Sequence, residues 1–256
     1  MSEWLVLALG MFVACVVVML VVVVRQRRKG DVDDPSETPD VIEYMTMMIG
    51  VVYAIVLGLA IAGVWEARNA ADDAVSREAQ ALHEVSERVQ VYPADERDRV
   101  RKDVNAYVRH TVTTEWDHMT EHGELTKRGD ELLSELRRHV MAYEPATAQQ
   151  AQSYQAAADQ VAEADAARTD RASSAEPTMP GVVWFGLIAG AVVAVGMLFA
   201  LQIQRSGREL LLAGLFSALI AFLLFLVWHF DAPFARGLSD SSEAFTALFP
   251  EATTSD

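Results

Sequence analysis

The chain has 256 residues, 52% of them hydrophobic, and a formal net charge of -15. That acidity argues against nucleic acid as a partner, because phosphate binding needs a basic face. The single cysteine, Cys15, excludes an intrachain disulfide.

The hydrophobic residues gather in four blocks with the charges between them. The first block runs over residues 4–24, has no charged residue and ends at Arg25, Arg27, Arg28 and Lys29. A signal peptide carries its positive charge before the apolar run. Here Met1-Ser2-Glu3 precedes it and the basic cluster follows, as on a retained helix. Thr38-Pro39-Asp40 then supplies a capping hydroxyl, a proline at the first helical position and an acid near the positive end of the dipole. A helix is expected from there, entering the membrane near Tyr44 and forming a second apolar block over 45–65. The third and fourth blocks cover about 182–203 and 210–230, with Pro180 before the third. Each block of about 20 residues spans about 30 Å of hydrocarbon as a helix. The alternative for any one block is a buried core helix. Trp4, Trp65, Trp184 and Trp228 lie near the block ends, where an amphipathic ring prefers the headgroup layer.

Between the second and third blocks, residues 66–179 read as helical almost throughout. Apolar residues at Val75, Leu82, Val85, Val89 and Tyr92 are spaced by seven, three and four, a helical stripe. With no proline between Gly63 and Val91, this helix continues the second span. Pro93 with Asp95 and Glu96 starts the next, with a stripe of Val100, Val104, Tyr107, Val108 and Thr111. A loop is expected at Glu121-His122-Gly123. A further helix buries Leu132, Leu133, Leu136, Val140 and Tyr143. After Pro145, Thr147-Ala148-Gln149-Gln150 has the form of a capping box. The helix it opens shows Ala151, Tyr154, Ala158 and Val161, then fades into a polar stretch at 170–176. The segment holds 23 acids against 14 basic residues, a balance of -9, mostly off the apolar stripes. That is a solvated helix surface or a cation-binding one.

The expected architecture is therefore an all-α membrane protein, with four transmembrane helices in two hairpins flanking a helical water-facing domain. Its segments are a helix at 1–24, a short loop at 25–42, a helix at 43–65 and the helical domain at 66–179. Then come a helix at 180–203, a short basic loop at 204–209, a helix at 210–230 and an acidic C-terminal tail at 231–256. Both short loops carry the positive charge, so the positive-inside bias places them in the cytoplasm. The domain and both termini are then extracytoplasmic.

The chemical signatures are few. There is no glycine-rich phosphate loop and no nucleophile elbow, so no enzyme activity and no cofactor are expected. His118 and His122 are four apart with Glu115 and Glu121 nearby, but zinc wants at least three protein ligands and the cluster lies at a helix end. No metal is assigned. The second span carries small residues every four positions, Gly50, Ala54, Gly58 and Ala62, and the third carries Gly186, Gly190 and Ala194. Small residues let backbones approach in lipid. They serve packing within one chain, or an oligomer whose second spans line a central pathway. No lysine or arginine lies within a span, which argues against a proton-coupled transporter. Glu43 and Asp231 sit at span edges, and Asp231 either caps a turn or meets a cation or a basic neighbour.

Several stretches together resemble the bestrophin-like family of bacterial membrane proteins. They are Val64-Trp65-Glu66-Ala67 with Glu78-Ala79-Gln80-Ala81-Leu82, Tyr107 through Glu115-Trp116, Leu210-Leu211-Leu212, and Asp231-Ala232-Pro233-Phe234 with Phe245 beyond. The resemblance covers roughly residues 40–250 and marks Trp65, Glu66, Glu115, Trp116, Asp231, Pro233 and Phe234 as motif residues of unassigned role. It implies a likeness to bestrophins, pentameric anion channels whose second transmembrane helix lines the pore and whose helical domain is cytosolic. A homo-oligomer in the lipid bilayer that passes ions is the function expected. The alternative is a membrane sensor or scaffold whose helical domain binds a ligand or a partner protein.

Overall fold

The structure is a computed structural model that describes residues 40–200, 207–237 and 242–253. The first apolar block, the basic cluster after it and residues 204–206 lie outside the described residues. Within them every regular element is helical and no strand occurs. The chain divides into two compact units. One comprises residues up to Trp65 with Met179–His229; the other comprises Glu66–Thr178 with the residues from Phe230 onward.

One helix, α1 (Asp40–Arg88), runs without interruption through the second apolar block and the first domain stripe. No proline falls inside it, so each backbone N–H keeps its intrahelical acceptor. A short 3-10 turn, Val89–Val91, ends it, and Tyr92 turns extended ahead of Pro93.

In the first unit α1 is joined by α6 (Gly181–Ala200) and α7 (Gly207–Phe230). The helices α1 and α7 are long and apolar enough to cross a membrane, and α6 holds a shorter apolar run, Gly181–Met197. Here α1 buries only one narrow face, Tyr53, Leu57, Ala60 and Val64. Large apolar residues around the rest are open: Met48, Ile55 and Leu59 on α1, Val182 and Phe185 on α6, Leu211 and Leu215 on α7. Exposures of 68% at Leu59 and 74% at Phe185 are untenable in water over so large a contiguous patch. They are natural where lipid is the solvent, and the chain is a membrane protein.

The second unit has a conventional core. Around α1 lie α2 (Ala94–His110), α3 (Trp116–His122), α4 (Lys127–Met141) and α5 (Ala148–Ser173). The stripes at Val75, Leu82, Val85, Val89 and Tyr92, at Val100, Val104, Tyr107, Val108 and Thr111, and at Leu132, Leu133, Leu136 and Val140 are all buried. Thr126 caps α4, its hydroxyl accepting from the Gly129 N–H at 3.2 Å. Thr147 caps α5 by accepting from the Gln150 N–H at 3.2 Å, and the Gln150 side chain returns to the Ala146 N–H at 2.9 Å.

Two expectations need correction in this unit. The buried face of α5 is Ala157, Val161, Ala164, Ala167, Arg168 and Arg171, whereas Ala151 is exposed and Tyr154 and Ala158 are half-buried. The stripe continues into the stretch read as fading, because its next positions are arginines. Nor is the acidic C-terminal segment a free tail. Two short helices, α8 (Glu243–Leu248) and α9 (Pro250–Thr253), bring Phe245 and Phe249 into the core, with Phe249 edge-on to His83 of α1 at 6.0 Å.

Candidate functional site

The hydrophobic core of the second unit encloses four charges. Glu78 of α1, Glu115, and Arg168 and Arg171 of α5 are all buried, three of them with no exposure and Arg168 with 4%. Each occupies a position that continues an apolar stripe of its helix. Glu78 lies between Val75 and Leu82. Arg168 and Arg171 follow Val161 and Ala164 at the same three-and-four spacing. Glu115 ends a π-helical turn, Thr111–Glu115, between α2 and α3. The extra residue of such a turn re-aims the chain after it, and it delivers this carboxylate to the interior.

The pairing is close to complete. Arg171 donates from Nε to Glu78 Oε2 at 2.7 Å, and from Nη2 to Glu78 Oε1 at 3.1 Å and Glu115 Oε1 at 2.8 Å. Arg168 grips Glu115 with both ends of its fork, at 2.5 and 2.8 Å, and reaches Asp130 Oδ1 at 3.0 Å and the Thr126 carbonyl at 3.2 Å. The Tyr107 hydroxyl accepts from Arg168 at 3.0 Å and donates to Glu78. The Thr126 hydroxyl donates to Glu115 Oε2 at 2.7 Å and sits 2.7 Å from His110 Nε2. Two positive and two negative buried charges cancel, and each meets hydrogen-bonding partners. Without that, desolvation would cost several kcal/mol per ion.

The network binds α1, α2, α4 and α5 to one another through groups 93 and 53 residues apart in sequence. It spends its donors and acceptors internally, which ties these helices to one another. Gly129, third residue of α4, is what lets the helix come so near. A Cβ there would lie 2.2 Å from Glu115 Oε2 and 2.4 Å from Arg168 Nη2.

Burial alone would push the Glu115 carboxyl up, but the hydrogen bonds from Arg168 and the charges of Arg171 and Arg168 outweigh it and hold the carboxyl at about 2, against 4.5 when unfolded. A folded pKa below the unfolded one gives stability that is complete above pH 4.5 and lost as pH falls toward 2. Burial lowers the His110 pKa below 6.5, which adds a further loss beginning as pH drops through 6.5. Thermal melts in detergent are expected to show both limbs. In Glu115→Gln the steep one below pH 4.5 should be absent.

The motif residues divide between the two units. Glu115 lies in the network, and the Trp116 ring next to it meets Phe234 edge-on at 5.7 Å and 87°. Asp231 is buried and accepts the Thr178 hydroxyl at 3.2 Å, with the Thr178 N–H on its carbonyl at 3.0 Å. Pro233 is buried and opens a π-helical turn, Pro233–Gly237. Trp65 is 51% exposed and Glu66 is exposed. The structure thus brings Glu115, Trp116 and Phe234 together.

The two small-residue stripes differ. On α6, Gly190 receives the Tyr53 ring, where a Cβ would lie 2.6 Å from the ring, and Ala194 is buried. The Tyr53 hydroxyl donates to the Leu187 carbonyl at 3.2 Å, so Gly190 and Ala194 lie in a packed contact of α6 with α1. Gly186 is exposed. On α1 the stripe turns away from the packed face. Ala54, Gly58 and Ala62 are exposed, and among the described residues nothing lies within 4 Å of a Cβ built at Gly50 or Gly58.

Sequence reasoning missed Arg168, Arg171, Thr126 and Gly129, and it placed the charges off the stripes. The three-and-four spacing from Ala157 through Arg171 was the available signal.

Comparisons with known proteins bear on the whole chain. The sequence model of the Bestrophin-like domain matches residues 4–245. A crystal structure of a bacterial bestrophin homologue from Klebsiella pneumoniae, carrying a point mutation, is similar in fold with a TM-score of 0.67. The identity is 12%, over 96% of this chain and 97% of that one. No curated protein is significantly similar in sequence.

Proposed function

Because the chain belongs to the bestrophin-like family, we propose that it is a homo-oligomeric ion channel, not an enzyme. In this reading four transmembrane helices form two hairpins, and α1 lies along the conduction pathway. The observation that carries it is the outward face of α1. Ala54, Gly58 and Ala62 are exposed and Gly50 is half-buried, while Tyr53, Leu57, Ala60 and Val64 are buried. A strip of small residues left open among the described residues suits either close approach of neighbouring copies or a pathway wide enough for an ion. The fold shared with a bacterial bestrophin homologue supports the same reading.

Ion flux in proteoliposomes tests it, with oligomer mass measured in detergent beside it. Flux is expected from the wild type. Gly58→Leu should abolish flux with the oligomer intact if the face lines the pathway, and should dissociate the oligomer if the face packs copies together. A stable oligomer that conducts nothing across a wide ion screen overturns the proposal.

The basic short loops support an orientation with residues 66–179 and both termini outside the cytoplasm. Asp159 is exposed on α5 and suits a reporter. In a Cys15→Ser background, Asp159→Cys is expected to react with an impermeant maleimide in intact cells. Labelling only after lysis would place the domain in the cytoplasm.

A further inference from the structure

Thr126, the N-cap of α4, is held by the buried network on one side and meets a histidine on the other. Its hydroxyl donates to Glu115 Oε2 at 2.7 Å, its N–H reaches the same oxygen at 3.1 Å, and its carbonyl accepts from Arg168 at 3.2 Å. The hydroxyl also accepts from the Gly129 N–H at 3.2 Å and sits 2.7 Å from His110 Nε2. Glu115 is a carboxylate that only accepts, so the single hydroxyl proton points at it and His110 must donate from Nε2. Neutral His110 therefore keeps its lone pair on Nδ1, where a second proton would bind. The ring is half-buried, at the C-terminal end of α2 just before the π-helical turn that carries Glu115.

We propose that His110 is a proton-operated latch on the start of α4. Neutral, it completes the hydrogen bonding of Thr126. Protonated, it turns out to water and lets the loop at 124–126 and the first turn of α4 open. Of the partners of Thr126 it alone changes charge in the mildly acidic range, because Arg168 stays protonated and Glu115 titrates at about 2. The release is electrostatic. Burial opposes a second proton on the ring most strongly. Glu115 attracts that proton, but the carboxylate is already paired with Arg168 and Arg171, and the charges of Arg168 on α5 and Arg128 on α4 repel it. The balance lies below the ordinary value of 6.5, so the closed form is complete above pH 6.5 and yields as pH falls through the lowered value. Residues 124–126 have no regular structure, so opening there disrupts only the end of a helix.

The test is amide hydrogen exchange of the full chain in detergent at about pH 7.5 and 5.5, read by peptide mass and corrected for the intrinsic pH dependence of exchange. Both conditions lie above pH 4.5, where the loss from Glu115 begins. Peptides covering residues 124–129 are expected to lose protection several-fold at the lower pH, while those covering Leu132–Val140 hold theirs. His110→Gln keeps an amide donor for Thr126 and cannot titrate, so its protection should be the same in both conditions. His139, the histidine of α4, lies 2.5 Å from Asp103 Oδ2, and His139→Gln should leave the response intact. No loss in the wild type, or an equal loss in His110→Gln, overturns the proposal. Exchange at the histidine C2 carbon, also read by peptide mass, needs no variant. The midpoint for His110 should fall below 6.5, and a midpoint at or above that value overturns it as well.

Discussion

Replacing Arg171 with alanine is expected to destabilise the helical domain by about 3–5 kcal/mol, the cost of stranding a buried charge without its partner. Arg171 is the only one of the two arginines that reaches Glu78, and it shares Glu115 with Arg168. Its removal leaves the Glu78 carboxylate, which has no exposure, with the Tyr107 hydroxyl alone. In detergent the thermal midpoint of the full chain should fall by roughly 10 °C or more. The double substitution Glu78→Leu with Arg171→Met is the informative control. It removes both charges and keeps the volume, so it should cost far less than the sum of its parts. Additive costs would mean that the pair is not coupled and that Arg171 acts by packing alone.

Gly129→Ala should be the most damaging of the conservative changes. Alanine is the better helix former by ~1 kcal/mol, so propensity alone predicts a gain. The added methyl would sit 2.2 Å from Glu115 Oε2 and 2.4 Å from Arg168 Nη2. Both atoms end flexible side chains, but neither is free to retreat. Glu115 Oε2 accepts from Arg168, the Thr126 hydroxyl and the Thr126 N–H, and Arg168 Nη2 serves Glu115, Asp130 and the Thr126 carbonyl. Overpacking costs about 1–3 kcal/mol, and here it also loosens charge-assisted hydrogen bonds. A lowered thermal midpoint is the expected result, together with a smaller acid limb below pH 4.5, because a Glu115 with weaker partners would titrate closer to its unfolded value. Unchanged or raised stability would show that the network relaxes at little cost.

Much of the domain was legible because helices announce their buried faces by spacing. Val75, Leu82 and Val85 on α1, or Leu132, Leu136 and Val140 on α4, are apolar at the intervals a helix requires, and they are buried. The resemblance in Glu115-Trp116 and in Asp231 through Phe234 also pointed to residues that are buried here. What escaped was the charge at core positions. Glu78, Arg168 and Arg171 obey the same spacing as their apolar neighbours, yet a charged side chain at such a position reads as solvated. It is tolerable in the interior only beside an opposite charge at the same depth, and spacing within one helix says nothing about the depth of another. The same limit applies to Phe245 and Phe249, whose burial needs a surface supplied by α1 and α2.

By itself the sequence determined that the chain is helical, that long uncharged runs make it a membrane protein, and that it belongs to the bestrophin-like family. These follow from local pattern and composition, which are written along the chain. Only the tertiary structure decided which carboxylate meets which guanidinium, that Gly129 must lack a side chain, and that Gly190 and Ala194 of α6 are packed while Ala54, Gly58 and Ala62 of α1 are exposed. Each of these depends on distances between segments far apart in sequence, such as the 93 residues separating Glu78 from Arg171. Electrostatic and steric energies are set by those distances and not by the order of residues.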